Sequence, residues 1–217
     1  MITVVGGIKG GSGKTTIATN LTVIMSLEGK KVLLVDADEQ KSASDWANQR
    51  EGTNLETRWT TVQLAGKSIY AQLQRMAEDY DDIIVDVGGR DTTSQRSALT
   101  IADIFLVPFK PRSLDIWTIG SVKAMISEIK AVNPKLTCVA VINQSDARGN
   151  DTKEAVEVLE ECVDLLCVPT AIGHRKAFAN AASDGLGVIE LKTQDKKATQ
   201  EVKELYQHVY SNLFANS

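Results

Sequence analysis

Residues 1–16 read Met-Ile-Thr-Val-Val-Gly-Gly-Ile-Lys-Gly-Gly-Ser-Gly-Lys-Thr-Thr: an apolar strand, a glycine-rich loop and the opening of a helix. The stretch from Lys9 to Thr15, Lys-Gly-Gly-Ser-Gly-Lys-Thr, decides the fold. A loop of this composition between a strand and a helix is the context in which backbone cradles phosphate. Gly10, Gly11 and Gly13 let the chain curl so that its N–H groups face phosphate oxygens at the positive end of the following helix. Lys14 is placed to reach the β- and γ-phosphates, and the Thr15 hydroxyl to ligate Mg²⁺. Ser12 and Thr16 complete the loop residues expected to touch nucleotide.

Outward from this loop, short β-branched runs alternate with helix-length patterns. The spacing predicts strands at 2–7, 31–36, 57–64, 82–87, 103–108, 136–143 and 163–169. Helices are expected at 14–28, 42–51, 67–79, 93–102, 114–132 and 151–161, then near 174–184 and 195–213. Strands apolar along almost their whole length, separated by helices, imply a parallel sheet covered on both faces. The expectation is a doubly wound, mostly parallel α/β sheet in three layers, the P-loop nucleotide hydrolase fold, as one domain over 1–217. No linker, low-complexity tract or repeat divides the chain.

Composition excludes several classes. Of 217 residues, 43% are hydrophobic and 24% charged, ordinary for a globular protein and unlike a disordered or fibrous one. No apolar run reaches the length of a membrane span. Residues 1–7 lack a basic segment and a full apolar core, so they read as a strand and not a signal peptide. Cys138, Cys162 and Cys167 form no CxxC pair or ligand cluster and are expected to be inert thiols in a cytoplasmic protein. A net charge of −4 leaves room only for a local basic patch.

A nucleotide hydrolase of this kind needs carboxylates near the metal and a group that orients water. The second strand ends Val35-Asp36-Ala37-Asp38-Glu39-Gln40, with two acids at the carboxyl edge where open α/β sheets bind ligands. The fourth, Asp82-Ile83-Ile84-Val85-Asp86, approaches the same edge and ends in an acid placed to reach Mg²⁺ through water. Gly88-Gly89-Arg90-Asp91 follows, with backbone freedom suited to a switch that senses the γ-phosphate. Asn143 closes the sixth strand with an amide able to donate to and accept from a purine edge.

Lys9, a second lysine at the first position of the loop, resembles the deviant Walker A motif of the ParA/MinD family. That resemblance spans nearly the whole chain. It implies ATP sandwiched in a homodimer, with Lys9 contacting nucleotide held mainly by the partner subunit and stabilising charge in the transition state. Asp36–Gln40 is similar to the family's Asp-x-Asp-Pro-Gln, which implies that Asp38 orients or activates the lytic water and Asp36 supports the Mg²⁺ shell. Glu39 departs from the family's proline, and Gly88-Gly89 from its commoner Thr/Cys-Pro-Pro. The resemblance assigns Asn143 to adenine, and Pro169 is grouped with it as a nucleotide contact. Asp115 matches a pattern at the dimer-proximal edge, its role left open, as is that of Arg90.

The stretch Asp36–Trp46, with Gln40, Ser42 and Trp46, resembles the small plasmid-encoded partition ATPases. With strand one starting at residue 2, an N-terminal helix-turn-helix domain is expected to be absent. The resemblance implies a nucleoid-associated switch that binds DNA without sequence preference when ATP closes the dimer and is stimulated by a ParB-like adaptor. Candidate DNA contacts are Arg175, Lys176, Lys192, Lys196, Lys197 and Lys203. Such contacts would be phosphate-directed and salt-dependent. A MinD-like membrane switch, a carboxysome-positioning ATPase and a P-loop metabolic ligase are the alternatives. Against the membrane reading, the apolar stripe Val202, Leu205, Tyr206, Val209, Tyr210 and Leu213 has few cations opposite it and is expected to dock on the core.

Overall fold

The computed structural model describes residues 1–53, 55–111, 119–146, 148 and 150–212. Its strands are β1 (Ile2–Val5), β2 (Val32–Ala37), β3 (Trp59–Gln63), β4 (Asp82–Val87), β5 (Ile104–Phe109), β6 (Thr137–Ser145) and β7 (Leu166–Gly173). Between and after them lie α1 (Lys14–Leu27), α2 (Ser42–Glu51), α3 (Ile69–Met76), α4 (Thr93–Leu99), α5 (Ile119–Lys130), α6 (Asp151–Glu160), α7 (Lys176–Ser183) and α8 (Lys196–Tyr206). The strands form one seven-stranded sheet in the order β3-β2-β4-β1-β5-β6-β7. Every neighbouring pair is parallel. The sheet is therefore wholly parallel where mostly parallel was expected.

Side chains alternate across this sheet into two apolar layers. Leu33 and Val35 face a core with Leu73 of α3, Leu99 of α4, Met125 of α5 and Leu159 of α6. Val32 and Leu34 face the other, with Leu21 of α1, Trp46 of α2, Phe178 of α7 and Leu205 of α8. Because β1 lies between β4 and β5, the crossovers leaving it and entering β5 run to opposite sides. That places a topological switch point at the carboxyl end of β1, where ligands of doubly wound sheets sit. The glycine-rich loop begins there.

Most boundaries shift by one to three residues, β6 running on past Asn143 to Ser145, and the last strand and the terminal helix depart further for physical reasons. The last strand starts at Leu166, not Val163, and runs on to Gly173. Val163 is 93% exposed in the preceding turn. The register jumps from Ala140↔Cys167 to Ile142↔Ala171, so β7 carries two extra residues in a bulge that contains Pro169. A proline without an N–H is tolerated there because β7 is an edge strand. The terminal helix gives way at Gln207 to a π-helical segment, Gln207–Asn212. Its apolar stripe is buried as expected: Val202, Leu205, Tyr206, Val209 and Tyr210 pack on the sheet, and the Tyr210 hydroxyl donates to Thr3 Oγ1 at 2.8 Å. Leu213 and Asp115, with the start of the helix expected at 114–132, lie outside the described residues. Among the described residues, no helix is long and apolar enough to cross a membrane.

Candidate nucleotide-binding site

Gly13 caps α1 with φ 87°, a left-handed conformation that favours glycine, and no side chain caps the helix. The first amides of α1 are thus left for an anion. Gly13 is also sterically fixed: a Cβ there would lie 2.1 Å from the Asn143 amide nitrogen. That nitrogen donates to the Ser12 carbonyl at 2.6 Å, and Gln144 Nε2 donates to the Gly11 carbonyl at 3.2 Å. Two amides at the end of β6 therefore pin the loop from outside. Gln144 can do so because it sits at a register irregularity with φ 57°.

Behind the loop, Lys14, Thr15 and three acids converge. Lys14 Nζ donates to the Lys9 carbonyl at 3.0 Å. The Thr15 hydroxyl donates to Asp86 Oδ2 at 2.6 Å. Asp86 is fully buried, and its second oxygen, Oδ1, has no hydrogen-bond partner. Burial pushes its carboxyl up to about 7, the Asp36 and Asp38 charges push the same way, and the Thr15 hydrogen bond and Lys14 oppose them. Burial likewise lowers Lys14, against the pull of Asp86 and Asp38.

Among the described residues no three His, Cys, Asp or Glu side chains form a metal cluster on their own. A P-loop Mg²⁺ draws most of its oxygens from phosphate and water, so few protein ligands are needed. The Thr15 hydroxyl and the orphaned Asp86 oxygen fit that demand.

Asp36 lies opposite Asp86 on the neighbouring strand, but both its oxygens are engaged. Oδ2 accepts from the Ser44 amide at 2.7 Å and Oδ1 from the Asp38 amide at 3.2 Å. Its visible work is to tie the start of α2 to the end of β2. Asp38 is partly exposed, and its Oδ1 accepts from the Gln40 amide at 3.1 Å. The same oxygen lies 3.1 Å from where a Gly88 Cβ would be. One residue on, a Cβ at Gly89 would be 2.4 Å from the Gly10 Cα. Only glycine permits this approach, so the loop after β4 lies directly on the phosphate loop and against Asp38. Arg90, beyond Gly88 and Gly89, is exposed.

Other expected residues are placed differently. Thr16 and Asn143 line an open cleft with Gln144, Gly173, His174, Arg175 and Phe178, suited to the base and sugar. Pro169 does not line that cleft; it lies four residues short of the strand's carboxyl end. Arg175 forms a bidentate pair with Glu201, which also accepts from the Gly173 amide. It is thereby committed inside the fold. Lys176, Lys192, Lys196, Lys197 and Lys203 are exposed.

Sequence reasoning missed Gln95, fully buried on α4, whose Oε1 accepts from the Gly7 amide at 2.9 Å. It also missed Arg50, whose guanidinium on α2 pairs with Glu190 at 2.6 and 2.7 Å, 140 residues away. Nothing in a single sequence signals either contact.

The model of the CobQ/CobB/MinD/ParA nucleotide binding domain matches residues 2–188. The chain belongs to that family. Among similar proteins, Maintenance of carboxysome distribution protein A of Halothiobacillus neapolitanus is 28% identical over 207 residues, covering 94% of both chains. Protein IncC of Escherichia coli is 26% identical, covering 94% of this chain and 67% of its own length. Apo McdA of Cyanothece superposes with a TM-score of 0.79 at 16% identity, over 96% of this chain and 98% of that one, a likeness of fold. As a ParA/MinD-type domain, the chain has its glycine-rich loop, the segments leaving β2 and β4 and the Asp86 acid at one sheet edge.

Proposed function

We propose that this chain is an Mg²⁺-dependent ATPase working as a dimeric switch that partitions or positions cargo on DNA. The observation that carries the reading is the convergence of Lys14, Thr15, Asp38 and Asp86 on one uncapped, glycine-built loop. In this reading Lys14 and the loop amides hold the phosphates, and Thr15 and Asp86 would hold Mg²⁺, which supplies positive charge to the phosphate oxygens when bound. Asp38 orients the water whose oxygen bonds to the γ-phosphorus as the bond to the ADP oxygen breaks. Lys9 stabilises the charge that develops, reaching across to nucleotide held by a second copy. Asp36 supports the switch through Ser44, and the close stacking of Gly89 on Gly10 lets the loop after β4 sense what the phosphate loop holds.

The exposed lysines Lys176, Lys192, Lys196, Lys197 and Lys203 suit a sequence-independent phosphate contact. Of the nearby acids, Glu201 pairs with Arg175, Asp195 accepts from the Lys197 and Ala198 amides, and Glu204 accepts from Thr170 and Gln200. The likeness to the Chromosome-partitioning ATPase Soj of Thermus thermophilus, 27% identical over 161 residues, supports DNA partition, and an adaptor that stimulates turnover on the nucleoid completes the reading. A second reading, positioning of a carboxysome-like body by the same engine, is favoured by the 94% mutual coverage with the carboxysome distribution protein. The burial of the terminal apolar stripe speaks against a membrane anchor made from it.

Titrating unrelated DNA sequences with wild type and Asp38→Ala, with Mg·ATP and with ADP at low salt, tests the reading. Asp38→Ala is expected to lose about 100-fold or more in turnover while keeping ATP-dependent DNA binding. Adding Lys196→Glu and Lys197→Glu should weaken every sequence equally and flatten the salt dependence. Wild type that hydrolyses ATP yet never binds DNA would remove the partition reading, and normal turnover by Asp38→Ala would remove the role of Asp38.

A further inference from the structure

Three lysines converge on the phosphate loop, and only two belong to it. The third is Lys110, the first residue after β5. β5 is hydrogen-bonded beside β1 with Leu106 opposite Val5, so the chain leaving β5 runs along the wall of the loop leaving β1. Gly7, Ile8, Lys9 and Ser12 share a small crevice there with Val107 and Phe109. A Cβ built on Gly11 would lie 3.7 Å from Lys110 Nζ, and Lys110 is half-buried. Lys14 Nζ, on the Lys9 carbonyl at 3.0 Å, lies by the same stretch of loop. Since a P-loop lysine serves the β- and γ-phosphates, the Lys9–Gly11 stretch is where the triphosphate's end would lie.

We propose that Lys110 is a further nucleotide ligand, its ammonium taking the terminal phosphate of a bound nucleoside triphosphate. This rests on the nucleotide reading above. The electrostatics call for it: Asp36, Asp38 and Asp86 crowd the site with negative charge, and a triphosphate adds more. A compact point charge on a flexible stem, rooted at the end of a core strand, offsets that charge without disturbing the loop. The contact favours ATP over ADP, because only the triphosphate carries charge out to it.

The full chain carrying Lys110→Met or Lys110→Arg, with exposed Lys153→Gln as a control, is titrated calorimetrically with a non-hydrolysable ATP analogue plus Mg²⁺, and separately with ADP. Lys110→Met is expected to weaken the analogue about tenfold or more and ADP less than about threefold, and Lys110→Arg to restore most of the loss. If Lys110→Met does not fold, Lys110→Gln carries the same comparison. Equal losses for both nucleotides, or none for either, would overturn the assignment. Wild type that binds neither nucleotide overturns the nucleotide reading itself, and the Lys110 assignment with it.

Discussion

Arg50 and Asp86 are both charged side chains buried in this fold, and the fold treats them in opposite ways. Arg50, its side chain 3% exposed, has a bidentate carboxylate in Glu190, carbonyls of Gly185 and Glu56, and the face of Trp59 at 4.8 Å. Packing around it is close, since a Cβ on Gly185 would meet the Arg50 backbone nitrogen at 2.3 Å, and only Arg50 Nε and the Trp59 indole nitrogen of this centre lack hydrogen-bond partners among the described residues. Asp86 has a single hydroxyl, one bare oxygen, two acids as neighbours and only the more distant charge of Lys14 to offset them. The difference lies in the counter-charge: Arg50 has a carboxylate on its guanidinium, whereas a buried carboxylate oxygen without a partner, beside two further acids, is where a cation fits. The clasp around Arg50 holds α2 to the turn before α8; the centre around Asp86 is where the proposed Mg²⁺ and phosphate would sit.

Breaking the paired centre should have the largest effect on stability. Arg50→Ala leaves Glu190 buried without its partner, a loss expected to cost about 3–5 kcal/mol. Urea unfolding of the ligand-free protein measures it. A cost under about 1 kcal/mol would mean that the clasp is not what joins α2 to the C-terminal turn. Phosphate binding by any residual folded protein should change little, since the hydrogen bonds of Arg50 go to Gly185, Glu190 and Glu56 and not to the loop.

The same contrast explains what was legible in the sequence. The phosphate loop is contiguous, so its glycines, Lys14 and Thr15 could be read directly, and Asp36, Asp38 and Asp86 followed from strands that end in acids. The parallel, double-sided fold was readable because buried strands are apolar throughout. What stayed hidden depends on sheet order. Gln95, Gln144 and Lys110 reach the loop only because β4, β1 and β5 are neighbours and β6 ends just beyond. Glu190 finds Arg50 across 140 residues. Pro169 misled as a strand terminator because an edge-strand bulge absorbs it.

Asp86 sharpens the comparison through pH. Its folded pKa, about 7, lies above the ordinary 3.8. Between those values the folded state keeps a proton that the unfolded chain has released. Stability of the ligand-free protein should therefore fall as pH rises from about 4 through 7, by up to about 4 kcal/mol from this group, and then level off. Asp86→Asn removes the titration and should flatten that limb of a melting-temperature profile recorded in EDTA. Parallel profiles for wild type and Asp86→Asn would mean the buried oxygen is better solvated than its surroundings indicate.

The smallest expected effect tests whether the clasp is one unit or several independent contacts. Trp46 stacks on Trp59 at 5.3 Å and donates its indole N–H to the Leu186 carbonyl at 3.2 Å, beside the Arg50–Glu190 pair. Trp46→Phe keeps the aromatic contact and removes only the donor, which should cost about 1 kcal/mol. Combined with Arg50→Ala, the two losses should fall short of their sum, because both side chains hold the same turn, Gly185–Glu190, and releasing it once forfeits part of each. Full additivity would divide the clasp into separate contacts. It would leave Asp36, through Ser44, as the link that positions α2, and the contrast with Asp86 would then lie in pairing alone.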